Sequence, residues 1–341
     1  MRNIRGVAGL VVAAAFVAGA GAVAQGPQPA PAGGADAFPY WAYGVLPPDP
    51  VPPGGRPAGS GGPRPQPDTS LKRIPGSTET FTLAQLRDFF NVADWFPGDH
   101  PPMPDVVVRG RPPDVRGCAM CHMPNGLGRP ENAPVAGLPY AYVVQQMMDF
   151  KNDLRTSAEP RKLNTLQMIQ AAKAMTDAEI HDAATYLSSL AWKPWIRVVE
   201  GDTVPKMRLS GNVFFAVPDG GTEPIGRRII ETPEDGVRFE LRDPRSGFIA
   251  YVPTGSLSRG AALVASGGNR TLPCGICHGQ DLNGLGPVPA IAGRSPSYIV
   301  RQLYDMQHGS RKGLWSPLMK PVVEKLTQDD MIAIAAYVAS Q

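Results

Sequence analysis

Cysteine is scarce in this chain, with four residues in 341, and all four lie in two short stretches. The stretches read CAMCHM (118–123) and CGICHG (274–279), so each has the form Cys-x-x-Cys-His. So few cysteines exclude a dense disulfide framework of the kind that holds small exported scaffolds together. A disulfide within each Cys-x-x-Cys pair remains possible, but it would close a very small loop and would not require the histidine.

A long hydrophobic run occurs at one place only, the N-terminus. Arg2 and Arg5 precede the uncharged stretch 7–24, which ends in the A-x-A cleavage pattern Ala22-Val23-Ala24. This arrangement predicts a bacterial secretory signal peptide over 1–24, its removal, and a periplasmic location. The alternative is an uncleaved anchor, because the run approaches the length that spans a bilayer. We expect membrane association only in that case.

An excess of one charge is also absent. The chain has 33 basic and 30 acidic residues, and removal of Arg2 and Arg5 brings it closer to neutrality. A nucleic-acid-binding protein would show a basic patch or a marked positive charge. We therefore expect no nucleic-acid partner.

The two Cys-x-x-Cys-His motifs favour covalent haem attachment. A zinc site could use two cysteine pairs, but it would not explain a histidine at the fifth position twice. A thioredoxin-like dithiol needs a strand-to-helix turn within an α/β pattern, and neither flank has one. In haem attachment the two thiols add to the porphyrin vinyl groups and the histidine binds the iron. The sequence therefore predicts two covalently bound haem c groups.

The surroundings of the motifs are also repeated, so the chain carries two copies of one unit. With Cys274 laid over Cys118, the further matches are Tyr142 with Tyr298, Gln146 with Gln302, Asp149 with Asp305, and Arg155 with Arg311. Beyond the arginines the first copy holds five extra residues. After that insertion, Met168 matches Met319, Thr176 matches Thr327, and Tyr186 matches Tyr337.

Helical signals recur in both copies. Ser-Pro at 295–296 begins a helix in the second copy, and 142–150 is its counterpart. The stretches TDAE (176–179) and TQDD (327–330) are capping-box patterns, and each precedes apolar residues at helical spacing. The stretch 256–266, before the second motif, predicts another helix.

This order of elements resembles the class I cytochromes c, and as a pair it resembles the two-haem cytochromes c of the bacterial periplasm. The resemblance covers about 100–190 and 255–341, and it rests on the two motifs, on PAIAGRSPSYIVRQL (289–303) and on LMKPVVEKLTQDD (318–330). It implies a mainly α fold of two tandem cytochrome c domains. In that family a methionine loop before the last helix supplies the second axial ligand of the iron. The implied haem residues are Cys118, Cys121, His122 and Met168 for haem 1, and Cys274, Cys277, His278 and Met319 for haem 2.

The first copy departs from the family pattern. Pro289, whose carbonyl orients the proximal histidine in the family, falls opposite Ala133, so the orientation of His122 is expected to differ. Met175 is an alternative to Met168, and a bis-histidine haem could use one of the other histidines, which are His100, His181 and His308. Arg155 and Arg311 are expected either to pair with haem propionates or to lie on the solvated surface.

The remaining regions complete the domain organisation. Half of the residues in 25–66 are Gly or Pro, which predicts a disordered linker, although its four aromatic residues could instead dock on a surface. The cytochrome c domains are predicted over 67–191 and 255–341. Between them, 192–254 alternates the apolar runs 211–217, 226–231, 237–243 and 248–253 with turn sequences, which predicts strands in a small antiparallel β-rich segment. It would serve as a spacer or as a docking surface.

The expected function is electron transfer. A haem with His and Met on its two axial positions has no site for a substrate, and the methionine raises its potential. We expect an exported carrier, or the cytochrome subunit of a dehydrogenase, that takes electrons from a periplasmic dehydrogenase and passes them to an oxidase or another cytochrome. The alternative is a two-haem redox enzyme of the peroxidase kind, with one open or displaceable haem site.

Overall fold

The computed structural model describes residues 37–48 and 68–341, so the predicted signal peptide lies outside the described residues. The helices are α1 (Tyr40–Tyr43), α2 (Leu83–Leu86), α3 (Asp105–Val108), α4 (Ala119–His122), α5 (Tyr140–Lys151), α6 (Leu163–Ala174), α7 (Asp177–Ser189), α8 (Gly236–Glu240), α9 (Ser256–Ser266), α10 (Gly275–His278), α11 (Pro296–Gln307), α12 (Ser316–Val323) and α13 (Gln328–Ala339). The strands are β1 (Gly110–Arg111), β2 (Val115–Arg116), β3 (Ile196–Glu200), β4 (Thr203–Pro205), β5 (Met207–Ser210), β6 (Val213–Ala216), β7 (Thr222–Pro224), β8 (Ile230–Pro233) and β9 (Phe248–Val252). None of the helices in these two ranges has the length and apolarity needed to cross a membrane.

The first helical domain is built around α5, α6 and α7. The predicted capping box at the start of α7 is confirmed: the Thr176 hydroxyl accepts the backbone N–H of Glu179 at 3.2 Å, and the Glu179 carboxylate accepts that of Thr176 at 2.7 Å. The apolar residues of α7 that recur at helical spacing, Ile180, Ala184 and Leu187, are buried. They pack towards α5 and form the core on which the first motif rests.

The second helical domain repeats this plan with a longer first helix. Helix α9 spans the predicted stretch, and Ser295 caps α11 by accepting the backbone N–H of Tyr298 at 3.2 Å. Helices α9 and α13 cross at Gly260, where a Cβ atom would overlap the carbonyl oxygen of Ala333. Glycine is therefore required at this crossing, because it lets the two backbones touch.

The central module between the helical domains (192–254) is β-rich, but its pairing is mixed. Strand β9 lies between β3, to which it is parallel, and β8, to which it is antiparallel. Two antiparallel pairs, β4–β7 and β5–β6, complete the module. The prediction of a strand over 237–243 is wrong, since helix α8 forms there. The Asp235 carboxylate causes this by accepting the backbone N–H groups of Val237 and Arg238, which caps the helix.

Residues 37–48 form an ordered arm, which corrects part of the disordered linker predicted over 25–66. Tyr43 of α1 is fully buried, and its hydroxyl donates to the Asp305 carboxylate of α11 at 2.8 Å. The ring of Phe38 stacks on that of Tyr43, with 5.1 Å between their centroids. Burial of these aromatic rings stabilises the ordered arm, although the surrounding Pro and Gly residues favour disorder.

The two methionines expected in loops lie instead on helices. Met168 is in the middle of α6, and Met319 is in α12. The sequence around Met168 is rich in Leu, Gln, Ala and Lys, which favour helix, while Ser316-Pro317 places a proline in the first turn of α12. The helical backbone therefore fixes the position from which each methionine side chain extends.

The two helical domains meet along the segments that follow α5 and α11. An isolated antiparallel bridge pairs Arg155 with Arg311. The backbone N–H of Thr156 donates to the carbonyl of Ser310 at 2.8 Å, and that of Lys312 donates to the carbonyl of Leu154, also at 2.8 Å. The matched arginines of the repeat thus face each other across the domain contact.

Candidate haem sites

Each helical domain contains one cavity beside its Cys-x-x-Cys-His motif. The first cavity, of about 790 Å³, is lined by the predicted residues Cys118, Cys121, His122 and Met168. The second, of about 380 Å³, is lined by Cys274, Cys277, His278 and Met319. Both volumes are in the range of cofactor sites. The structure thus brings each predicted set of four side chains to one cavity.

A single helical turn positions the two thiols and the imidazole of each motif. In the first motif the backbone N–H groups of Cys121 and His122 both donate to the carbonyl of Cys118, at 3.2 and 3.0 Å. The same two bonds form in the second motif, to the carbonyl of Cys274. Burial raises the pKa of Cys118 to about 12 and that of Cys274 to about 11, so the unmodified thiols are neutral.

Both motif histidines are held in the same way. His122 Nδ1 lies 2.9 Å from the carbonyl oxygen of Ala133, and His278 Nδ1 lies 2.8 Å from that of Pro289. Because a carbonyl can only accept, Nδ1 carries the proton and Nε2 keeps its lone pair for a metal. Burial lowers the pKa of both histidines and favours the neutral, ligating form. The expected difference at His122 is therefore absent from this bond, since the backbone carbonyl of an alanine accepts as well as that of a proline.

The methionine positions are less symmetric than the histidines. Met168 packs against Phe150, Ile169 and Ala172 at the edge of the first cavity, whereas Met319 joins the main core of the second domain. Met175, the predicted alternative, also lines the first cavity and is buried. Met147 of α5 lines the first cavity as well, so the cavity offers three thioether sulfurs, two of them at the middle and at the end of α6.

A family model and several known proteins match this chain. The cytochrome c family model matches residues 115–191. Cytochrome c-554(548) of Halomonas halodenitrificans is 37% identical over 82 residues, which are 24% of this chain and 99% of that protein. The chain belongs to the two-haem class I cytochromes c. The thiosulfate dehydrogenase electron acceptor of Thiomonas intermedia is 27% identical over 233 residues, covering 67% of this chain and 81% of that protein. Cytochrome c4 of Pseudomonas aeruginosa is 36% identical over 86 residues, covering 25% of this chain and 41% of that protein.

The residues of each cavity in this cytochrome fit a covalently attached haem. Two thiols would form the two thioether bonds to the porphyrin, and the Nε2 atom of a neutral imidazole and a methionine sulfur would bind the iron. The walls are largely apolar, with Ile299, Leu303 and Val338 among the residues around the second cavity. When bound, the haem supplies a reversible one-electron couple between Fe(II) and Fe(III).

The two cavities share a polar wall at the domain contact. Four matched side chains of the repeat line both cavities: Tyr142, Gln146, Tyr298 and Gln302. The repeat identified these four residues, but no local pattern in the sequence places them between the domains. That placement depends on the bridge described above, whose partners are far apart in sequence.

Arg155 and Arg311 connect this shared wall in a nearly symmetric pattern. Arg155 donates to Gln146 of its own domain at 2.9 Å and to Tyr298 of the other domain at 3.0 Å. Arg311 donates to its own Gln302 at 2.9 Å and to Tyr142 at 2.7 Å. The expectation that these arginines lie on the solvated surface is wrong, because both are buried by the opposite domain. Burial disfavours the phenolate of Tyr298, but the two guanidinium groups outweigh it and lower its pKa.

The remaining histidines lie away from both cavities. His100 pairs with Asp94 and with the carbonyl of Pro101, and the hydrogen bond raises its pKa. His181 contacts the hydroxyl of Tyr140, and His308 stacks on Tyr304 with 3.9 Å between ring centroids. No residue from this group is among the cavity linings, so the geometry favours methionine over histidine as the second ligand.

Proposed function

We propose that this cytochrome is an exported two-haem electron carrier that accepts electrons from a dehydrogenase and delivers them to a respiratory acceptor. One observation carries the proposal: each cavity collects a cysteine pair, a histidine and a methionine. With both axial positions of each iron filled by protein, no position remains for a substrate. The wall shared by the two cavities supports the proposal that the two redox sites of this protein act together.

The roles proposed for the residues follow from their chemistry. Cys118, Cys121, Cys274 and Cys277 hold the two haems through thioether bonds. His122 and His278 are the proximal iron ligands, oriented by the carbonyls that accept from Nδ1. Met168 and Met319 are the distal ligands, and their weak sulfur donation favours Fe(II).

The partner class is inferred from a relative and from the N-terminus. The Thiomonas protein is named as the electron acceptor of thiosulfate dehydrogenase, which supports a dehydrogenase as donor here and an oxidase or another cytochrome as acceptor. The secretory pattern over 1–24 supports a periplasmic location. The β-rich central module is proposed to act as a spacer that fixes the two domains.

Mixing experiments separate a carrier from a two-haem enzyme. The reduced protein should transfer two electrons per chain to an oxidase preparation, and it should neither turn over hydrogen peroxide nor bind cyanide rapidly, because both irons lack an open site. An iron with an open axial position would bind cyanide readily. Rapid cyanide binding together with peroxide turnover would instead support the enzyme alternative.

A further inference from the structure

Lys162 is a buried cation without a partner. It lies in the longer connection of the first copy, immediately before α6, and it lines the first cavity. The residue is 3% exposed, and its Nζ makes no hydrogen bond to any of the residues that the structure describes. A buried ammonium with no partner is costly, so the side chain requires an anion or must lose its proton.

The two buried arginines at this cavity, Arg155 and Arg301, are already bound to neutral groups. Arg155 donates to amide and phenol oxygens of the shared wall. Arg301 donates to the backbone carbonyls of Ala42 and Pro130, at 2.5 and 2.8 Å. Protein carbonyls, amides and a phenol therefore supply acceptors for Arg155 and Arg301, whereas Lys162 has none among the described residues.

Three carboxylates also line this cavity, those of Asp114, Glu131 and Asp305, and none of them pairs with Lys162. Asp305 accepts the Tyr43 hydroxyl and the backbone N–H of Ala158, both at 2.8 Å. Glu131 lies near enough to favour the ammonium, yet it forms no hydrogen bond with Lys162. Burial and the charge of Arg301 together lower the pKa of Lys162. An additional anion inside the cavity would offset both effects.

We propose that Lys162 binds a propionate carboxylate of the haem in the first cavity through a charge-assisted hydrogen bond. The inference rests on the proposed haem in that cavity. The second domain has no counterpart, because its connection is five residues shorter and its one lysine, Lys312, is exposed and outside the second cavity. The longer connection thus gives the first cavity a buried, unpaired lysine that the second cavity lacks.

Redox titration of the holoprotein tests the proposal. A positive charge near a haem favours its reduced form, so Lys162→Met should lower the potential of the first haem. We expect about a tenfold shift of its reduction equilibrium, which is 59 mV for one electron. The second wave, assigned by its response to Met319→His, should not move. Lys162→Arg, which keeps the charge, should restore most of the first potential.

Arg161→Met is the matched control. Arg161 is the neighbouring residue in the same connection, but its side chain is 47% exposed and pairs with Glu159 at 2.7 Å. Loss of this solvent-screened charge should leave both potentials nearly unchanged. An equal response to Arg161→Met and Lys162→Met would mean that overall charge, not a propionate contact, sets the potential.

Three further outcomes would overturn the inference. They are an unchanged first wave in Lys162→Met, an equal shift of both waves, and a methionine-to-iron band that gains intensity in Lys162→Met, since that gain would identify lysine as an iron ligand.

If neither variant assembles, infrared redox-difference spectra of the wild-type protein with ¹³C-labelled propionates test the contact. A propionate carboxylate perturbed at the first haem alone supports the contact, and equivalent propionate signals from the two haems contradict it. Haem counting by pyridine haemochrome separates these results from failure of the proposed function, which would give fewer than two haems per chain.

Discussion

Arg155 and Arg311 show how much of this molecule depends on single side chains at the domain contact. Each guanidinium reaches the glutamine of its own domain and the tyrosine of the other. Their match in the repeat can be read from the sequence. That they face each other cannot, because the bridge between them joins residues that are far apart along the chain. A residue that repeats without an evident local role is therefore a candidate for such a contact.

Asp330 is the residue whose charge should matter most for stability in acid. It is buried at the start of α13, where its carboxylate accepts from Thr327 and from Arg259, the latter at 2.5 Å. Burial alone would raise its pKa, but these hydrogen bonds lower it below the ordinary value. Because the folded-state pKa is depressed, the stabilisation is present above about pH 4 and is lost as the pH falls through the folded-state pKa.

Asp330→Asn should therefore lower the free energy of unfolding at pH 7 by about 2 kcal/mol. The difference from the wild-type protein should shrink as the pH falls below about 4. Guanidinium titrations at pH 7 and pH 3, followed by circular dichroism, measure both quantities. Asp329→Asn is the control, since that neighbouring carboxylate forms a half-exposed pair with Arg227, worth less than about 1 kcal/mol. Equal effects of the two substitutions would contradict the account.

At the scale of elements, local signals in the sequence specify some helices well and others not at all. Helices α7, α11 and α13 begin at the side-chain caps that the sequence predicts, because capping is a local interaction. The stretch 237–243 reads as a strand by composition, yet the cap at Asp235 makes it helical. The arm at 37–48 reads as a linker because its burial depends on α11, which lies far away in sequence. Composition was thus least informative where tertiary contacts decide the structure.

The candidate site follows the same division. The cysteines and histidines that line the two cavities could be identified from the sequence, since the motif is one contiguous helical turn. The methionines were placed by resemblance, and the structure puts them on helices with Met175 beside Met168 at the same cavity. Lys162 and the shared wall could not be predicted, because no local pattern marks a residue that lines a cavity from another element.

The crossing of α9 and α13 provides a test at the scale of elements. Gly260→Ala should destabilise the second domain by about 2 kcal/mol or more, because the new methyl group overlaps the Ala333 carbonyl and the helices must separate. Gly236→Ala is the matched control: no atom lies within 4 Å of the added Cβ, so the change should be neutral or slightly stabilising. Denaturant titration of both variants compares them. A Gly260→Ala protein as stable as the control would mean that the helices do not touch as described.

For the whole molecule, we expect two unequal redox sites held in one framework. The histidine hydrogen bonds are alike in the two domains, so an inequality must come from the first connection, with its extra residues and Lys162, and from the setting of Met168. The arm, the central module and the bridge all contact the second domain or join it to the first. These contacts support a fixed geometry between the two sites.

The near-infrared spectrum of the oxidised protein, recorded together with its haem content, tests the central claim most directly. The account predicts two covalent haems per chain and a methionine-to-iron band with the intensity of two methionine-ligated irons. Met168→Ala should remove about half of the band, while Met175→Leu should leave it intact. A single haem per chain, or a wild-type spectrum without the band and with high-spin features, would contradict the assignment of two closed, electron-carrying sites.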